Sequence, residues 1–260
     1  MADYPDYVIK ELTLDRVLRH GDSGSRVRRV QEWLTIHGFA TAVDGGFGDA
    51  TEKCVTNCQH AKALAPNGEV TEETWVAMIE PLKDVLELPE PAPGATLRQI
   101  VSQIANRHLA KHPVEVGGDN RGPWVRIYVE GNQGHDWRWC AGFVTFVLKQ
   151  ACMSLGRAMP IEGSVSCDVL LYQAKAAGLR VRDTEIASGQ TPWSDLGEMA
   201  IFLVRRTATD WTHTGFCFGG AGTIFSTIEG NTNDDGSNNG YEVTKRTRSV
   251  TKKDFIRIPA

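Results

Sequence analysis

The chain has 260 residues, 41% of them hydrophobic and 23% charged, with a formal net charge of −4. That composition is ordinary for a globular protein. It lacks the basic surplus of a general nucleic-acid binder and the run of about 18 apolar residues that would span a membrane. The start, MADYPDYVIKEL, has no basic segment followed by an apolar core. The expectation is therefore synthesis in the cytoplasm without a secretory signal, so that work outside the membrane needs another exit route. The six cysteines, Cys54, Cys58, Cys140, Cys152, Cys167 and Cys217, are expected as thiols rather than a disulfide framework. Cys54, Cys58 and His60 cluster, but the second half of a zinc pattern is missing, so no metal site is expected there.

Three helical patterns come first. In SRVRRVQEWLTIHG, Val27, Val30 and Leu34 recur at helical spacing and Gly38 ends the run. In GDATEKCVTNCQHA, Asp49 can cap, Glu52 stands three residues on, and Val55 and Cys58 form the apolar face. In VTEETWVAMIEPL, Thr71 can cap and Trp75, Met78, Ile79 and Leu82 form the stripe. The stretch LPEPAPGAT, residues 88–96, holds Pro89, Pro91, Pro93 and Gly94 and reads as a stiff linker. The expected division is an arm over 1–11, a helical domain over 12–87, the linker over 88–96 and a second domain over 97–260.

The first domain resembles the peptidoglycan-binding three-helix domain found on many cell-wall hydrolases. The resemblance rests on Leu18, Gly21, Gly24, Val27, Gln31 and Leu34, then Asp44-Gly45, Phe47-Gly48, Thr51 and Val55, then Thr74-Trp75. It implies peptidoglycan as the partner, with Asp44 and Phe47 among the wall-contacting residues. One departure is Cys58-Gln59, where the family usually has Phe-Gln.

Past the linker, TLRQIVSQIANRHLAKH carries Leu97, Ile100, Ile104 and Leu109 on one helical face. A glycine-rich loop leads to DWRWCAGFV, and CAGFVTFVLKQAC reads as a helix with Cys140 in its first turn. Unpaired N–H groups and the dipole at a helix start favour negative charge, lower a thiol's pKa and can hold an oxyanion. A buried filler cysteine is the competing reading. A nucleophile needs a base, and the base needs an orienting acceptor.

HTGFCFG, a turn around Gly219–Gly222 and TIFSTIEGN read as a hairpin. A turn centred between Gly220 and Ala221 would set His213 opposite Ile228, beside Glu229. Glu229 and Asn231, two apart, would share a face. Cys140, His213, and Glu229 or Asn231 thus supply a nucleophile, a base and an orienter. His135 is the rival base, in a loop near Cys140.

WCAGFV, HTGF and IEGNTN resemble the CHAP family of cysteine/histidine-dependent amidohydrolase/peptidases and related NlpC-type enzymes, over about residues 98 to 250. The resemblance implies Cys140 as nucleophile, His213 as base, Glu229 as orienter and Asn231 as helper. It also implies an α+β protein: a small N-terminal three-helix domain plus a papain-like domain with helices packed on an antiparallel sheet.

Trp137 and Trp139 flank the nucleophile and are expected to line a substrate groove, core packing being the alternative. Asp119 and Asn120 in GGDNRGP either form a turn or shape the cleft. NTNDDGSNNG, residues 231–240, reads as a polar hairpin loop rather than a calcium site. The basic stretch VTKRTRSVTKKDFIRI reads as a solvated edge strand. The function expected is a monomeric peptidoglycan hydrolase that cuts an amide bond of the wall peptide without a cofactor, as a phage lysin or a secreted antibacterial effector does. An inactive wall-binding protein and a cysteine acyl transferase are the alternatives.

Overall fold

In the computed structural model, residues 4–233 and 239–260 are described. The segment 231–240, read above as a polar loop, therefore lies partly outside the described residues. The protein is α+β. Its helices run α1 (Asp6–Leu12), α2 (Ser25–Ile36), α3 (Asp49–Ala61), α4 (Glu72–Met78), α5 (Glu80–Leu86), α6 (Leu97–Lys111), α7 (Pro123–Tyr128), α8 (Cys140–Ser154) and α9 (Cys167–Ala176). Then come β1 (Arg180–Arg182), α10 (Asp183–Ala187), α11 (Trp193–Leu196), β2 (Ala200–Arg205), β3 (Trp211–Ala221), β4 (Ile224–Thr232), β5 (Glu242–Ser249) and β6 (Lys253–Arg257).

The expected helices are present, with two differences. Asp49 is the first helical residue of α3, and its side chain caps nothing. The VTEETWVAMIEPL stripe is two helices, α4 and α5, because Pro81 has no N–H to continue the ladder and opens the second helix instead. Thr71 caps α4 as expected, accepting from the Thr74 N–H at 3.3 Å.

The loops after α2 and α3 are braced in the same way. Gln31 accepts from the Gly45 N–H at 2.7 Å and donates to Asp44 Oδ1, the Gly46 carbonyl and Thr51 Oγ1. Gln59 accepts from the Gly68 N–H at 3.0 Å and donates to Asn67 Oδ1, the Glu69 carbonyl and Thr74 Oγ1. Both glutamines are 1% exposed. Each saturates a turn whose backbone groups would otherwise be buried and unpaired.

The six strands form one antiparallel sheet in the order β1-β6-β2-β3-β4-β5. Residues alternate across it: Ile201 and Leu203 join the main core, while Phe202 packs with Phe225 and Phe255 on the opposite side. β5 is an edge strand with alternating burial, as the basic stretch suggested, but β6 lies inside the sheet.

The main core does not stop at the Pro-rich segment. Trp33 of α2 meets Trp124 of α7 edge-on at 5.9 Å. Gln150 of α8 donates to Tyr4 Oη at 2.9 Å and to the Val85 carbonyl at 2.7 Å. Arg126 of α7 clamps Glu11 at 2.7 and 2.9 Å and Glu32 at 3.1 and 2.7 Å. Within the arm expected over 1–11, Tyr4, Val8 and Glu11 reach this junction, all buried. The reason is local: Val8 is apolar on a helix that begins after Pro5, and Glu11 has a buried cation to meet. Within the Pro-rich segment, Leu88 and Ala95 pack against this common core.

Candidate active site

Cys140 is the first residue of α8. Gly142 lets that turn press on α7: a Cβ there would lie 2.2 Å from the Tyr128 carbonyl oxygen. The thiol is 3% exposed. Its Sγ is 3.8 Å from Sγ of Cys167, the first residue of α9. Two helix starts therefore converge on one pair of thiols.

His213 lies near the start of β3 and is fully buried. Its Nε2 is 2.8 Å from Glu229 Oε2. The carboxylate is the acceptor, so Nε2 carries the proton. Nδ1 is buried and has no hydrogen-bond partner among the described residues. It is the ring nitrogen left to exchange a proton with Cys140, whose charge acts on this ring.

Glu229 reaches the histidine because the facing position is Gly215. A Cβ at Gly215 would lie 2.9 Å from Glu229 Cγ. The hairpin register differs from the expected one: Phe216, not His213, pairs with Ile228. Gly219 takes a left-handed φ of 59° within a bulge, and the turn moves on to Gly222 and Thr223. The shift leaves His213 and Glu229 on a diagonal, within bonding reach.

Electrostatics favour an ion pair. The Cys167 S–H donates to Cys140 and, against the cost of burial, together with His213 and the Thr214 amide holds the Cys140 thiol well below its ordinary range. Cys167 is pushed well above that range by sharing its proton with Cys140 and by burial. Burial alone would lower His213, but its interactions with Cys140, and then with Glu229, raise it. Burial alone would raise Glu229, but hydrogen bonds from Arg248 and His213 bring it down to about 2. Arg248 donates to both carboxylate oxygens at 2.6 Å, and Thr227 Oγ1 adds a bond at 2.6 Å. The arrangement can hold a thiolate beside an imidazolium and return the proton to a leaving group.

Other expected site residues stand elsewhere. Asn231 does not bond to His213. Its φ is 55° and the β4–β5 register breaks between Glu229 and Thr232, so the two-residue alternation fails there. Its Nδ2 donates instead to Glu115 Oε1 at 3.2 Å, Asn120 Oδ1 at 3.0 Å and the Gly240 carbonyl at 2.8 Å. Asn120 is buried in this cluster, with a φ of 50°. Trp139 is a core residue, not a groove wall: it is fully buried, stacks on Tyr128 at 5.4 Å and donates from Nε1 to Glu115. Trp137 is half-buried beside the core. The His135 side chain is exposed.

In the N-terminal region Phe47 is 2% exposed and packs inside, because the Gln31 network turns its loop inward. Asp44 is exposed, and the Gly46 N–H and Gln31 amide hold its carboxyl below the ordinary range. Cys58 fills the core, and all six cysteines are free thiols.

Three residues at the site went unread in the sequence. Arg248 sits in a stretch read only as basic. Glu115 opens a glycine-rich loop. Cys167 lies in SVSCDVL, where Ser166 caps α9 by accepting from the Val169 N–H; that capping residue signalled a second helix start with a thiol on it.

Residues 23–78 match the family model described as a putative peptidoglycan binding domain. The chain thus carries a region of peptidoglycan-binding type at its N-terminal end. Among solved structures, it is similar to the SleB N-terminal domain at 29% identity, over 26% of this chain and 93% of that one, with a TM-score of 0.25. It is also similar to a fused Zn-dependent amidase/peptidase/peptidoglycan-binding domain-containing protein from Clostridium acetobutylicum at 24% identity, over 36% of this chain and 44% of that one, with a TM-score of 0.24. No curated protein matches. Among the described residues, no helix is long and apolar enough to cross a membrane.

Proposed function

We propose that the protein is a peptidoglycan hydrolase that cuts an amide bond of the wall peptide by cysteine nucleophilic catalysis. The observation that carries this reading is the buried line Cys140–His213–Glu229, in which His213 Nε2 is fixed on Glu229 at 2.8 Å and Nδ1 is left for the thiol. The peptidoglycan-binding match on the same chain supports peptidoglycan as the substrate class.

Cys140 Sγ attacks the amide carbonyl as thiolate, and N–H groups at the start of α8 hold the oxyanion. His213 gives its Nδ1 proton to the leaving amine. It then takes a proton from water, which releases the acyl group. Glu229 keeps the imidazole oriented and stabilises its positive charge, and Arg248 keeps Glu229 ionised. Asn231, Asn120 and Glu115 brace the loop behind Trp139.

The test is a digest of purified sacculi with wild type and Cys140→Ala, released fragments being identified by mass. Fragments from wild type alone are expected, and their masses name the bond and show whether water or an amine accepted the acyl group. Equal release by both proteins, or release by neither from any wall type, would overturn the reading.

A further inference from the structure

The proposed mechanism uses one thiol, yet the structure puts two at the same place. Cys140 and Cys167 each open a helix, and their sulfurs are 3.8 Å apart. Both are buried, at 3% and 8% exposure. A disulfide needs a sulfur separation of about 2.05 Å, so closing the gap takes less than about 2 Å of travel. The other four cysteines have no such neighbour: Cys54, Cys58, Cys152 and Cys217 form no sulfur–sulfur contact among the described residues.

We propose that Cys140 and Cys167 form a peroxide-oxidised modification site whose disulfide reversibly disables the nucleophile. The loss of activity rests on the hydrolase reading above; the bond itself does not. In the first step the Cys140 thiolate attacks a peroxide oxygen. The O–O bond breaks, the sulfur is oxidised to a sulfenic acid, and hydroxide leaves. In the second step the Cys167 sulfur attacks the Cys140 sulfur and the S–O bond breaks. The Cys167 proton and the departing hydroxide leave as water. Overall, two thiols and one peroxide give one disulfide and two waters.

The setting suits this chemistry. The Cys167 thiol lies 3.8 Å from the Cys140 sulfur, and a hydrogen bond from it favours the thiolate on Cys140. The resolving thiol is thus in place before the sulfenic acid can oxidise further. The thiolate favoured on Cys140 at the start of α8 makes that sulfur a good leaving group, so the disulfide is easy to reduce. Oxidation occupies Cys140 Sγ and removes the charge opposite His213.

The experiment treats the full chain with hydrogen peroxide, caps remaining thiols by alkylation and maps peptides by mass spectrometry without reduction. The expected product is a Cys140–Cys167 cross-linked peptide as the main oxidised species, removed by a phosphine reductant. Fragment release from sacculi should fall about tenfold or more as the bond forms and return with reduction. In Cys167→Ser, Cys140 should instead accumulate sulfinic acid that the reductant does not reverse. Wild-type Cys140 found unmodified, or over-oxidised beside a free Cys167, would overturn the proposal. A cross-link in a protein that releases no fragments even when reduced would keep the oxidation site, remove its role as a switch and overturn the hydrolase reading separately. Hydrolysis that peroxide does not touch, with no cross-link, would do the reverse.

Discussion

The braced loops after α2 and α3 and the thiol site at the start of α8 are both built from buried polar side chains, and they differ in what is left over. Around Gln31 and Gln59 the turn amides and carbonyls find partners, and the two networks match bond for bond. Around Cys140 the carboxylate of Glu229 is saturated, while His213 Nδ1 is buried without a hydrogen-bond partner among the described residues. A saturated network stabilises a fold. One with a single unsatisfied titratable atom beside a thiol is poised to move a proton.

The largest effect is expected at the reactive end. His213→Ala should lower fragment release from sacculi by about a thousandfold or more, because the thiol loses its base. Its melting temperature should change far less than its rate, and a rate near that of wild type would refute the role of His213. Next comes the junction. Arg126→Ala removes the cation that clamps Glu11 and Glu32, leaving Glu11 only the longer 3.6 Å contact with Arg29, and should cost about 3–5 kcal/mol in denaturant unfolding. A near-neutral result would mean that α1 and α2 do not depend on Arg126 for their place against α7.

The third test is acid. His108 is fully buried, accepts from Tyr128 Oη at Nδ1 and donates from Nε2 to Gln150 Oε1. Burial, outweighing the Gln150 hydrogen bond, lowers its pKa from 6.5 to about 4. The unfolded chain therefore takes up this proton first. The contribution is complete above pH 6.5 and shrinks as pH falls towards 4, by on the order of 3 kcal/mol. His108→Gln should flatten that slope in urea unfolding measured across the interval. The smallest effect is expected in the braced loops. Gln31→Ala and Gln59→Ala should each cost about 1–3 kcal/mol, and by similar amounts, because each leaves the same turn groups unpaired.

The helices around Val27, Val30, Leu34 and Val55 were legible because a 3.6-residue stripe reports which side is buried. Cys140 at a helix start was legible because the apolar run begins right after it. Asn231 and Trp139 were not. A bulge at Asn231 breaks the alternation that placed it with Glu229, and Trp139 has its indole N–H satisfied by Glu115, 24 residues earlier in the chain. Cys167 and Arg248 belong to the site only through tertiary pairing, which periodicity does not report. The same holds for the junction: a Pro-rich segment marks a change in the chain's stiffness, whereas Trp33 against Trp124 and Arg126 between two glutamates are long-range contacts.

The surroundings of Cys140 favour its thiolate, and this can be read from the ultraviolet thiolate absorbance of wild type minus that of Cys140→Ala, followed across pH, with His213→Ala alongside. The expected thiolate signal persists well below the ordinary thiol value of 9.0 and moves upward in His213→Ala. A signal that appears only near 9.0, unchanged by the loss of His213, would contradict it.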